Sequence, residues 1–230
     1  MKMSLCKLEV KDMVNILDWG YDKALNGLPG MGTAEELARD YLTKKGTRDE
    51  QIDSLIRWQA AKCGTSGFLT GLGGLVTLPV AISANISSSL YVQMRMIAAI
   101  AYMHGYDIRD DKVKTFVFTC LCGNEVKDIL KQAGCQVGEK ITKQLIQKIP
   151  GPLLTKINQI VGFRLITKFG TTGVINLGKF IPGVSGIING AMDVYYTTLV
   201  GNKAKELFTD ISIAEYTDDY IDITSEPINQ

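Results

Sequence analysis

A chain of 230 residues with 46% hydrophobic and 21% charged side chains can bury one sizeable core, and it sits near the globular average apart from its 23 glycines. Its five cysteines, Cys6, Cys63, Cys120, Cys122 and Cys135, are odd in number and form no CxxC pair, which excludes a disulfide framework and favours a reducing compartment. Net charge is +1, yet Asp210 to Gln230 carry acids and no Lys or Arg; an acidic tail thus follows a basic stretch over 111–209, an asymmetry that points to an anionic partner surface.

The opening MKMSLCKLEVKDM reaches Lys7 and Glu9 before an apolar stretch can form, which excludes an ordinary signal peptide. Over 8–26, Val10, Met13, Val14, Leu17, Tyr21 and Leu25 recur at helical spacing, and Asn26-Gly27-Leu28-Pro29-Gly30 stops that helix. Thr33 with Glu36 three residues on makes a capping box for a second helix carrying Leu37, Ala38, Tyr41 and Leu42. Gly46 ends it. Thr47 caps a third, which turns Ile52, Leu55, Ile56 and Gln59 toward the next element.

That next element organises the chain. No formal charge occurs from Cys63 through Met94, a run longer than the roughly 20 residues a membrane span needs. Composition opposes a span: Ser66, Thr70, Ser83, Asn85 and Ser87 to Ser89 would each need a partner in hydrocarbon, and Pro79 breaks the helix. Two tightly packed helices meeting at Leu78-Pro79 fit better, with Gly67, Gly71, Gly74 and Pro79 as helix-packing positions. Beyond Pro79, apolar and small residues spread round the whole helix, as in a helix buried on all sides or lying in lipid. Gly105 ends it.

Asp107, Asp110 or Asp111 caps the following helix, whose buried face is Val113, Phe116, Val117, Cys120 and Leu121. Shorter amphipathic pieces follow Gly134 and are separated by Pro150; Pro182 introduces a last long helix from about Val184 to Phe208. Alternating β-branched runs are nearly absent, so the fold class is all-α, a compact helical bundle built around the Gly-rich apolar helix pair.

The candidate site residues follow from this pattern. Asn85, Gln93 and Arg95 in the central element and Asp193 in the last helix are the polar groups expected to be buried. An Arg95–Asp193 pair would offset the desolvation of both, while the alternative places Arg95 at the solvent end of the apolar run. Lys140, Lys143, Lys148, Lys156, Arg164 and Lys168 lie on helices with opposite apolar faces and are candidates for contact with a membrane surface. Gly71-Leu72-Gly73-Gly74 lacks the Lys-Ser/Thr and the preceding strand of a phosphate loop. His104 is the single histidine, and Cys120 and Cys122 are spaced for different helix faces, so no metal, cofactor or catalytic set is expected.

The blocks GTSGFLTGLGGLVTLPVAISANISSSLYVQMRMIAAIAYMHGYD, KTFVFTCLCG and KFIPGVSGIINGAMDVYYTTLVGNKAKELF, with the opening NGLPGMGTAEELA, resemble the EcsC protein family of bacteria over roughly residues 10–208. The resemblance implies an α-helical, membrane-associated protein; one such domain is expected over 1–209, and the acidic composition of 210–230 reads as a disordered tail. The resemblance brings no settled activity and no catalytic residues. The expected function is that of a non-enzymatic accessory protein at the cytoplasmic face of a bacterial membrane, peripheral or partly embedded in the inner membrane. Its expected partners are an anionic membrane surface or lipid and a membrane protein complex, with no nucleic acid. The alternative is a soluble helical carrier of an apolar ligand or lipid, and the third reading an enzyme of unknown type.

Overall fold

The computed structural model describes residues 9–65, 84–135, 143–169 and 185–209; within helices, the side chains of 84–87, 143–145, 169 and 185–189 are not described. Gly67, Gly71, Gly74, Pro79, Lys140 and the tail over 210–230 lie outside these residues, and so does the expected meeting of two helices at Leu78-Pro79. Asn85 and Lys143 are placed by their backbone alone.

Every regular element among the described residues is helical: α1 (Val10–Asn26), α2 (Ala34–Leu42), α3 (Arg48–Cys63), α4 (Ala84–Met103), α5 (Asp111–Cys120), a 3-10 turn (Gly123–Glu125), α6 (Val126–Ala133), α7 (Lys143–Lys148), α8 (Gly151–Phe169) and α9 (Ser185–Phe208). Local chemistry sets most boundaries. Glu9 and Asp12 form a reciprocal capping box on α1, Thr33 and Glu36 on α2, and Thr47 and Glu50 on α3, each satisfying backbone N–H groups that a helix start leaves open. Of the three aspartates able to start α5, Asp110 does so, its Oδ1 accepting from Lys112 N at 2.8 Å. Gly105, at φ +78°, ends α4 in a backbone conformation that side chains disfavour.

The helix expected to be buried on all sides is so, by protein: α1, α2, α3, α5 and α9 all pack on α4, and every residue from Leu90 to Ala101 is buried. No helix among the described residues is long and apolar enough to cross a membrane. The core around α4 includes Met13 and Leu17 of α1, Ile52 and Leu55 of α3, Phe116 and Phe118 of α5, and Val200 and Phe208 of α9. At roughly 1.5–3 kcal/mol for each fully buried large apolar side chain, these contacts are the main force holding the bundle.

α3 and α9 run antiparallel and nearly touch. A Cβ on Gly190 would lie 2.7 Å from the Gly64 carbonyl oxygen, one on Gly201 would lie 2.9 Å from Ile56 side-chain atoms, and Lys205 reaches Asp53 and Asp49 at 2.7 and 3.1 Å. On the other side, α8 packs on α1, α5 and α6. Between α5 and α6 the chain breaks at Gly123 (φ +64°), where Leu199 of α9 packs against the turn, a break with no clear signal in the sequence.

Candidate functional site

An interior this apolar makes its few buried polar groups conspicuous, because each must be hydrogen-bonded or cost free energy. On α4, Gln93 is buried and its Nε2 donates to Thr197 Oγ1 of α9 at 3.1 Å, while its Oε1 has no partner. Arg95 is 7% exposed, its Nε has no hydrogen-bond partner, and among the described residues it forms no ion pair. Tyr91, one turn before Arg95 on the same row, is fully buried with an unpartnered hydroxyl. On α3, Gln59 is 1% exposed and neither of its amide atoms has a partner.

The expected burial of Gln93 and Arg95 is therefore observed, but Arg95 does not meet Asp193. Asp193 stands one turn before Thr197, the partner of Gln93, and so faces the Gln93 side of α4. Two residues further along α4 the side chain has turned by about 200°, which sends Arg95 to the opposite side. There the groups acting on it are Tyr91, the carboxylates of Glu36 and Asp40 on α2, and the ammonium of Lys62 at the end of α3. Burial pulls the Arg95 guanidinium below its usual range, with Tyr91 and the two carboxylates acting against that shift. Asp193 is only half-buried, and burial raises its carboxyl. Nothing in the sequence joins Tyr91 or Lys62 to Arg95.

The basic candidates divide. Arg164 pairs with Glu125 at 2.9 Å and donates to Gln132, and Lys168 holds its ammonium 3.2 Å over the Tyr196 ring, whose hydroxyl donates to the Leu121 carbonyl. Both charges are thus used to fasten α8 to its neighbours. Lys148 and Lys156 are exposed. Large apolar side chains also stand in solvent, Phe163 on α8 at 59% exposure and Met192 and Tyr195 on α9 at 54% and 62%. Met192 lies one turn before Tyr196, against which Lys168 packs.

Cysteine chemistry is suppressed. Cys63, Cys120, Cys122 and Cys135 are free and buried, and burial pushes the Cys63 thiol up to about 11 and that of Cys122 to about 12, leaving little thiolate at neutral pH. No group of three or more His, Cys, Asp or Glu side chains able to hold a metal occurs among the described residues. Two open clefts are present. One of about 690 Å³ is lined by Leu42, Arg48, Tyr102, His104 and Tyr106, where Arg48 donates to the Met103 carbonyl and so caps α4. The other, of about 490 Å³, lies over the α1–α2 turn and is bounded by Asn26 to Thr33 and Glu36.

Residues 33–210 match the model of the EcsC protein family. No curated protein and no solved structure matches the chain.

Proposed function

The chain belongs to the EcsC protein family, and from that premise we propose that it is a non-enzymatic accessory protein attached peripherally to the cytoplasmic, anionic face of a membrane. The observation that carries this reading is the exposure of Phe163 on α8 and of Met192 and Tyr195 on α9, with Lys156 two turns before Phe163 on the same outward stripe. An apolar side chain flanked by lysine is the pattern of an interfacial contact, in which the ring enters the acyl boundary and the ammonium meets the headgroups. With more than half of each apolar side chain open, seating them supplies on the order of 1 kcal/mol apiece. Each lysine beside an anionic bilayer adds about 1 kcal/mol more.

Co-sedimentation with vesicles tests this. The protein is expected to pellet with vesicles of mixed phosphatidylcholine and phosphatidylglycerol, less with phosphatidylcholine alone, and to lose most of its binding when Phe163→Ser and Met192→Ser are combined. Raising the salt concentration should remove only the lysine contribution, because screening does not touch apolar insertion. Equal sedimentation of wild type and double variant on both kinds of vesicle would overturn the proposal.

A further inference from the structure

We propose that Arg95 is the centre of a phosphate-binding site in the seam between α2, α3 and α4. An arginine that is 93% buried as a residue is ordinarily held by a carboxylate, since burying a charge without a partner costs several kcal/mol. Arg95 has no such ion pair among the described residues. Glu36 and Asp40 act on it electrostatically from the exposed side of α2, but the Glu36 carboxylate is committed to the Thr33 backbone N–H at 2.8 Å.

Around Arg95 stand further donors whose capacity is unused. Its own Nε–H and the Tyr91 hydroxyl have no hydrogen-bond partner among the described residues. Lys62 adds a second positive charge, felt at Arg95. A planar guanidinium with a neighbouring O–H donor and an ammonium suits the several oxygens of a phosphate. The 490 Å³ cleft over the α1–α2 turn supplies the approach: Glu36 forms part of its wall, and Leu28 and Met31, which line it, pack on the Tyr91 cluster.

The phosphate can belong to a soluble ester or to a lipid headgroup, and the site does not depend on the membrane-facing residues of α8 and α9. Calorimetric titration at constant ionic strength, with inorganic phosphate in one arm and short-chain phosphatidic acid in the other, tests it against a chloride control. Binding in both arms with similar affinity identifies a free phosphate; binding at least about tenfold tighter to phosphatidic acid identifies a lipid headgroup. Arg95→Met is expected to weaken either ligand at least about tenfold and, in phosphate-free buffer, to raise the urea midpoint, because an unpaired buried charge has been replaced by an apolar side chain of similar length. Asp40→Asn, at an exposed position, should tighten phosphate binding a few-fold by removing a competing negative charge.

The proposal falls if wild type binds neither ligand, or if Arg95→Met binds as wild type does. It falls also if Arg95→Met unfolds at lower urea in phosphate-free buffer, which would mean that the fold itself holds the guanidinium. Phe163→Ser should leave inorganic phosphate binding unchanged, so failure of membrane attachment and failure of this site are read separately.

Discussion

Gly190 and Gly201 sit where α9 meets α3, and a single added methyl group tells the two contacts apart. At Gly190 the obstacle is the Gly64 carbonyl, which belongs to the backbone and cannot move without shifting a helix end. At Gly201 it is Ile56 and the end of Met96, at 2.9 and 3.1 Å, side chains that can repack in part. At Gly20 it is the terminal methyl of Met94, the most compliant atom of the three. Alanine substitution should therefore destabilise by about 1–3 kcal/mol at Gly201 and by more at Gly190, and should be nearly neutral at Gly20, where better helix propensity offsets the contact. Urea unfolding midpoints check the order. The sequence singled out Gly67, Gly71 and Gly74 for close packing, positions outside the described residues, and passed over Gly64, Gly190 and Gly201. Glycines spaced four apart in one segment are visible to the eye, whereas a pair more than a hundred residues apart becomes meaningful only once two helices are side by side.

Helix ends were the most legible features of the elements. Thr33, Thr47 and Gly105 act through neighbours within a few residues, so their roles can be read without knowing the fold. Thr47→Ala should cost about 1 kcal/mol, since the Glu50 N–H loses its acceptor at the start of α3. The links between elements were not legible. Tyr21 of α1 reads as one more apolar residue of its stripe, yet its buried hydroxyl donates to the Ile108 carbonyl at 2.7 Å and pins the loop between α4 and α5. Tyr21→Phe leaves that carbonyl without its donor and should cost about 1–3 kcal/mol, read from the same urea curves. Which of the two readings of Arg95 holds, a pair with Asp193 or not, was not legible for a related reason. Helical rotation within α4 was available from spacing, but the side on which α9 lies was not.

For the molecule as a whole, buried thiols govern the first response of stability to alkali, joined near pH 10 by the buried hydroxyls of Tyr21 and Tyr196, which burial also raises. Cys63 and Cys122 titrate near 11 and 12 in the folded state and near 9 when exposed, and burial raises Cys120 and Cys135 as well. A raised folded-state value means that the contribution is complete below the unfolded value and is withdrawn as pH climbs toward the folded one. Stability should thus hold from neutrality to about pH 8.5 and then fall, Cys63 alone withdrawing on the order of 2–3 kcal/mol by pH 11. Lys62 and Lys168, lowered by burial, act in the opposite sense near pH 10 but are largely open to solvent. Urea midpoints measured across pH 7 to 10.5 follow the decline, and Cys63→Ala should reduce it. The all-helical class and the buried central helix were legible because composition and periodicity carry them; the order of helices round α4 was not, since it depends on contacts between distant segments. That order has a consequence during synthesis. α3 and α4 emerge from the ribosome long before α9, the helix that covers Ile56, Met96 and Gln93, so a nascent chain carries these surfaces uncovered until nearly its last helix is made. A product terminated ahead of Ser185 is then not a smaller version of this protein but a client for chaperones and proteases.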